Sequence, residues 1–533
     1  MKLRIVAYAI NGRGLGHLTR QLAILRWARR YCALLGVELE AWVLTSSEAD
    51  TLARREGFPA LKIPSKAMMR DAGLDPARLL AIARAWVLNA VATLQPDLLL
   101  VDTFPGGSFG ELGPVLELAR RRVLIARPVC AEIAADAAYQ SWLPLYDAVV
   151  VPDDGGVGPV LLREREELMP REAAREALGL SGRAVFVSLG GGGDPAAPDQ
   201  LPRLVPALRA RGWQVVVGAG PLYQGPEIRG PGVVWLDRYA PSELFRAFDA
   251  AVSAGGYNTL YELMFAGVPT VFLPQPRLAD DQEGRAERAV AAGAGRMART
   301  LDEVPDRLEE LLRDPGAAAA AAAFVTHNSA SEIAATALST VLPAEDVRAA
   351  KKTFTPAVLG LLTSYNLTSN QCMELLRLLA GEAPSAAARR RRTLAESGFD
   401  APAAGGSAVE RLGAFLEANK DVPPDISLNL LSGLSRRFPA ARPREILAAS
   451  ERLFPAWRRL AGEPADWMSA VSLLRGVPTQ RQMAIGDFVP AFVAWLDRLD
   501  DPYEGLRDLS AMEQNGRRPL AEVLRLLTQG PRP

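Results

Sequence analysis

The sequence predicts an α/β protein made of two doubly wound parallel-sheet domains, over 1–165 and 166–345, followed by an all-helical domain over 350–533. Three observations carry this expectation. Short continuous apolar runs, bounded by Gly, Asn, Asp or Pro, read as strands buried on both faces. They alternate with segments of helical period, which is the signature of a parallel sheet covered by helices. The alternation restarts after a charged, proline-bounded stretch near 163–175 and stops near 350.

In order, "LRIVAYAI" (3–10) is the first strand and "LTRQLAILRWARRYCALLG" (18–36) the first helix, closed by a glycine. "VELEAWVLTSS", "PDLLLVDTFPGG" (96–107), "RVLIA" (122–126) and "DAVVVP" (147–152) supply further strands, with a helix at 76–94. The second domain repeats the pattern. "AVFVSLGGGGD" (184–194) and "WQVVVGAG" (213–220) are strands with glycine exits, and 249–274 reads strand, loop, helix, strand. The alanine tract at 317–323 reads as plain helix, alanine being the strongest helix former. Beyond 350 only amphipathic stretches remain, at 369–381, 426–438, 443–462, 487–499 and 519–527, with a loop at 396–408.

Composition narrows the function classes. At 533 residues, 49% hydrophobic and 23% charged, the chain exceeds a single core. Its 61 basic and 61 acidic residues cancel, so nothing in the balance points to nucleic acid. Cys32, Cys130 and Cys372 stand far apart, against a zinc cluster or a disulfide framework and in keeping with a reducing compartment. Lys2 and Arg4 lead straight into a strand, and no run of 18 apolar residues occurs. The expectation is a cytoplasmic protein without a leader or transmembrane segment.

Two glycine sites carry the chemistry. "GRGLGH" (12–17) follows a strand and opens a helix, so backbone N–H groups and the helix start can face an anion or polar ligand. Gly14 and Gly16 permit close approach, and Arg20 follows one turn later. The spacing lacks the third glycine of a dinucleotide fingerprint, which argues against a nicotinamide enzyme. His17, one of two histidines, reads either as a helix cap or as a general base; its place at the mouth of the sheet favours the base. The second site is "SAGGYNTLYELMFAGVPTVFLPQPRLADDQEGRAERAV" (253–290). Gly255 and Gly256 precede a helix start suited to phosphate, and Glu262 stands three residues after Thr259 on one face, where a carboxylate can accept both hydroxyls of a ribose. Asp281 and Gln282 suit the hydroxyls of a sugar.

These stretches resemble the GT-B glycosyltransferases, family 28 in particular, the group that contains the N-acetylglucosaminyltransferase of peptidoglycan synthesis. The resemblance covers about 1–345, and "GLGH", "VDTFPGGSFGEL" and "GGYNTLYE" in this order are shared with a branch of predicted bacterial glycosyltransferases similar to that group. It implies that Gly255, Gly256, Asn258 and Thr259 hold the diphosphate of a nucleotide sugar and Glu262 its ribose. Asp281 and Gln282 would contact the transferred sugar, and Gly190, Gly191 and Gly192 would form the interdomain loop near the phosphates. In related plant and antibiotic enzymes a histidine in the first loop is the base and a strand-end aspartate orients it; Asp102 occupies that place. The chain departs from the peptidoglycan enzyme in having "GLGH" instead of a double glycine before the histidine, so the lipid acceptor is not carried over.

The resulting expectation is an inverting glycosyltransferase of the hexosyltransferase type with a UDP sugar as donor. Gly14, Gly16, Arg20 and Glu111 would contact an acceptor of unknown class, and no cofactor or metal is expected, because helix dipoles replace the metal in this fold. A UDP-sugar epimerase and a non-catalytic nucleotide-sugar-binding protein are the alternatives. Residues 350–533 carry no motif that points to a family, and acceptor recruitment, dimerisation and docking to a partner protein all stand as roles for them. His327 reads as a cap or surface residue and "ARRRRTL" (388–394) as a solvated helix face. Trp86, Trp457, Trp467 and Trp495 read as packing residues.

Overall fold

The computed structural model describes residues 1–10, 15–65, 68, 72–73, 75–108, 110–126, 135–152, 157–190, 196–220, 223–236, 240–275, 281–354, 359–360, 417–418, 430–431, 434, 438, 441, 443–461 and 485–496. The first sheet is built from β1 (Lys2–Ala9), β2 (Glu38–Thr45), β3 (Ala60–Lys62), β4 (Leu98–Asp102), β5 (Arg121–Ile125) and β6 (Ala148–Val150). The second holds β7 (Ala184–Ser188), β8 (Gln214–Val217), β9 (Val233–Trp235), β10 (Ala250–Ser253), β11 (Thr270–Phe272) and β12 (Gly295–Met297). The helices between the strands of the first sheet are α1 (Gly16–Leu34), α2 (Thr51–Arg55), α3 (Pro76–Leu94) and α4 (Ala137–Trp142). α5 (Arg171–Ala177) precedes the second sheet, and α6 (Ala197–Ala210), α7 (Tyr257–Phe265) and α8 (Gln282–Ala291) lie between its strands. After it come α9 (Val304–Leu312), α10 (Ala317–Phe324), α11 (Ala330–Leu338), α12 (Ala344–Thr353), α13 (Pro443–Ala461) and α14 (Ile485–Leu496).

Both sheets have the same doubly wound order, β3-β2-β1-β4-β5-β6 and β12-β11-β10-β7-β8-β9. The order reverses between β1 and β4 and again between β7 and β10. Both pairs run parallel, with Tyr8 opposite Val101 and Ser253 opposite Ser188. A crevice opens beyond the strand ends at each reversal, and ligands bind there in folds of this type. This is the GT-B architecture of two facing doubly wound domains.

The alternation of side chains along β7 shows why these runs are continuously apolar. Val185 and Val187 join Leu201, Leu204, Leu208 and Trp213 on one face, and Phe186 joins Phe245, Phe248, Leu263 and Phe272 on the other. Burying each such side chain stabilises by roughly 1.5–3 kcal/mol, and neither face can be polar. In α3, Leu79, Ala83, Val87 and Val91 recur at every fourth position and are buried, with Ala83, Val87 and Val91 packed against Val6, Tyr8, Leu99 and Val101. That helix begins on Asp75, whose side chain accepts from the N–H of Ala77, with proline at its first position. Its stretch Ala77–Leu94 is long and apolar enough to cross a membrane, and only 22% of it is buried, along the stripe that meets the sheet. Trp86, expected to pack inward, is instead 52% exposed, with Leu88 beside it: both fall off the one-in-four stripe that meets the sheet.

The chain divides into two compact units, one of 2–29 and 39–344 and one of Met1, 30–38 and 345–533. In the second unit α13 packs against α14, and Phe488 stacks on Phe492 and meets Phe438, each at 5.1 Å between ring centroids. Tyr31 meets Phe354 edge-on at 5.8 Å. The helices expected at 369–381 and 519–527, most of 426–438, the loop at 396–408, "ARRRRTL" and Trp467 lie outside the described residues, as do the side chains of Trp457 and Trp495.

Candidate active site

β4 ends on Asp102, directly beside β1 at the first reversal, and α1 opens at Gly16 on the far side of the same crevice. His17 Nδ1 lies 2.5 Å from Asp102 Oδ1. The carboxylate can only accept, so Nδ1 carries the proton in this contact. Arg20 Nη1 donates to the same Oδ1 at 2.9 Å, and the Thr103 hydroxyl donates to it at 2.7 Å. The Asp102 and Arg20 side chains have no exposed surface, whereas His17 retains 17%. Burial alone raises a carboxyl pKa. Here the charge of Arg20, with the hydrogen bonds from His17 and Thr103, overcomes it, so Asp102 is held below the usual carboxylate range. Thr103 has φ +62°, a conformation that β-branched residues rarely adopt.

The second reversal shows the matching feature. Gly190 after β7 and Gly255 after β10 both have positive φ, +105° and +76°, which only glycine adopts without strain. The carbonyl of Gly255 accepts from Arg285 Nη1 at 2.7 Å, and Gly256 is the N-cap of α7. The first-turn N–H groups and the dipole of α7 therefore begin at this crevice. Asn258, in the first turn of α7, donates from Nδ2 to the Thr19 hydroxyl in the first turn of α1. Tyr257 places its ring 5.2 Å from the Arg20 guanidinium and 5.6 Å from that of Arg285. The two glycine sites expected from sequence thus meet, through Thr19, Arg20, Tyr257 and Asn258.

Several predicted residues have surroundings that sequence did not foresee. The Arg20 side chain is wholly buried and turned onto Asp102. Glu111 is 1% exposed and accepts from the Tyr8 hydroxyl and, at 2.9 Å, from the Ser108 N–H, so its carboxylate anchors the loop after β4. Glu262 does stand one turn beyond Thr259, but it is buried against the segment joining the two domains. Burial pushes its carboxyl up to about 7 against the opposing charge of Arg163 and the Leu162 amide. Asp281 caps α8, accepting from the Gly284 N–H at 2.9 Å, and Gln282 is buried with Oε1 accepting from the Gln275 N–H at 3.1 Å. Thr259 is half-buried and His327 exposed. Gly14, Gly191 and Gly192 lie outside the described residues.

Sequence reasoning missed the clasp at the domain joint. Arg163 forks onto both oxygens of Glu56 at 2.9 and 2.5 Å, and Arg26 of α1 pairs with both Glu56 and Glu167. Burial opposes ionisation of Glu56, and the hydrogen bonds of Arg163 with the charge of Arg26 overcome it, lowering its pKa to about 2.

The fold and these paired crevices are those of the two-domain GT-B architecture. Residues 235–340 match the Glycosyltransferase family 28 C-terminal domain. An uncharacterized glycosyltransferase of Methanopyrus kandleri is 27% identical over 238 residues, covering 44% of this chain and 64% of the relative. The UDP-N-acetylglucosamine–N-acetylmuramyl-(pentapeptide) pyrophosphoryl-undecaprenol N-acetylglucosamine transferase of Aquifex aeolicus is 26% identical over 31% of this chain and 49% of its own length. That of Nocardia farcinica is 28% identical over 53% and 79%. The chain thus spans about half to two thirds of the first two of these relatives. Among solved structures, spinosyn rhamnosyltransferase SpnG superposes with a TM-score of 0.47 at 19% identity, covering 63% of this chain and all of that one.

Proposed function

We propose that the chain is an inverting glycosyltransferase that moves a sugar from a UDP sugar to an acceptor hydroxyl without a metal. The observation that carries this reading is the meeting of the first turn of α1, with His17 bound to Asp102, and the first turn of α7, through the Asn258–Thr19 hydrogen bond. The relatives from Aquifex and Nocardia are named for transfer from UDP-N-acetylglucosamine, which supports UDP as the nucleotide. The diphosphate sits on the N–H groups at the start of α7, beside Gly255, Gly256, Asn258 and Thr259. Gly190, Gly191 and Gly192 are assigned to the same phosphates. Glu262 receives the ribose hydroxyls once the joint segment uncovers it, and Asp281 and Gln282 lie at the sugar end.

With Nδ1 engaged by Asp102, His17 takes the acceptor proton on Nε2. The acceptor oxygen then bonds to the anomeric carbon as the bond from that carbon to the phosphate oxygen breaks, and a single displacement inverts the centre. UDP leaves with the electron pair, its charge met by the α7 dipole.

Calorimetric titration with UDP and a panel of UDP and dTDP sugars tests this. UDP binding that Glu262→Ala weakens at least tenfold, with His17→Ala binding UDP normally yet turning nothing over, is the expected result. Absence of binding to every nucleotide would overturn it.

A further inference from the structure

Arg20 has a role that neither donor nor acceptor binding accounts for. His17 and Arg20 are three residues apart on α1 and so share a face. Both reach Asp102 Oδ1, at 2.5 and 2.9 Å, while Asp102 Oδ2 and Arg20 Nε and Nη2 have no hydrogen-bond partner among the described residues. The ring of Tyr257, from the other sheet's domain, lies 5.2 Å from the guanidinium carbon, and the Arg20 side chain is wholly buried.

We propose that Arg20 is the positioning residue of the His17–Asp102 pair: its fixed charge keeps the buried Asp102 ionised, so that Oδ1 accepts from His17 Nδ1–H while the imidazole itself stays neutral. The proposal rests on the general-base reading of His17. A buried carboxylate needs a cation beside it or it takes up a proton. If His17 supplied that cation, the ring would already hold the proton it has to remove and could not act as a base. Arg20 resolves the conflict because a guanidinium stays charged throughout the working range. Its fork is planar and directional, and Tyr257 shields it from water that would screen the charge. The same contact fixes the tautomer, since a ring with its proton on Nδ1 is left with Nε2 as the acceptor.

The chain contains two histidines, so the test can read one ring. Full-length protein carrying His327→Gln and ¹⁵N-labelled histidine reports His17 alone by NMR. In this background the expected signature is a far-downfield, exchange-protected Nδ1 proton held by the Asp102 carboxylate. Asp102→Asn abolishes it. Arg20→Met and Arg20→Gln lose the signature while circular dichroism stays that of the folded protein, and Arg20→Lys, which restores the charge, recovers it. Arg20→Gln serves as the second variant should Arg20→Met fail to fold. A folded Arg20→Met or Arg20→Gln protein with an unchanged ring signature overturns the proposal. If Asp102→Asn also leaves the ring unchanged, the pairing required by the base reading is itself absent, and the proposal falls with it.

Discussion

Glu262→Gln separates the cost of a buried carboxyl from its use. Burial raises the Glu262 carboxyl from 4.5 to about 7. A raised acid pKa means that the folded state resists ionisation, so the cost is absent below about pH 4.5, grows as pH rises toward 7, and is fully present above it. The difference of about 2.5 units corresponds to about 3 kcal/mol, a few hundredfold in the folding equilibrium. Glutamine is nearly isosteric and cannot ionise. The variant should match wild type near pH 4.5 and exceed it by about 3 kcal/mol at pH 8. Denaturant titrations of both proteins between pH 4.5 and 8 give that difference directly. A constant offset across the range, or a wild type that is the more stable at pH 8, would refute the reasoning. The same substitution reports on function. Should the ionised carboxylate bind ribose, wild-type UDP affinity rises between pH 6 and 8, and that rise disappears in Glu262→Gln.

Two further outcomes follow from the geometry. Glu56 shows the opposite sign: with its pKa lowered to about 2, the clasp contributes about 3 kcal/mol above pH 4.5 and loses it as pH falls toward 2. Glu56→Gln should therefore be destabilised at pH 7, with the gap to wild type closing on acidification, as followed by denaturant titration. Gly255→Ala forces a side chain into φ +76°, with its Cβ 3.2 Å from the Gln282 carbonyl oxygen. The strain is about 1–2 kcal/mol, and because Gly255 leads into the N-cap of α7, calorimetry should show UDP binding weakened about tenfold or more.

The parts of the fold visible in sequence are those where one segment carries its own signal. β1, β4, β7 and β10 are buried on both faces, which forces continuous apolar runs, and α3 announces itself with Asp75, Pro76 and a regular stripe. β3, β9 and β12 have three residues each and are at least partly exposed at most positions, too short for any period to show. The pairing of His17 with Asp102 was legible through the resemblance to related enzymes, and the topology accounts for it: β1 and β4 are neighbours at the reversal of sheet order, which brings His17 beside the end of β4. The states of Glu111 and Glu262 were not. Tyr8 stands 103 positions before Glu111 and Arg163 stands 99 before Glu262, and nothing local distinguishes a carboxylate that faces a crevice from one that anchors a loop.

Thr103 shows how strain reports on this site. The residue after Asp102 must turn the chain sharply while its N–H still donates to the Ile125 carbonyl at 2.8 Å. Glycine would take φ +62° at no cost, whereas a β-branched residue gives up about 1–2 kcal/mol there. What threonine adds is its hydroxyl, which donates to Asp102 Oδ1 and lies 3.2 Å from His17 Nδ1. Together with Arg20, it concentrates three donors on one oxygen of a buried carboxylate and leaves the other without a partner among the described residues. Packing alone has no use for so lopsided an arrangement, since a buried carboxylate is most stable with both oxygens satisfied. It is the arrangement required to hold one imidazole in one orientation at the point where the two domains meet.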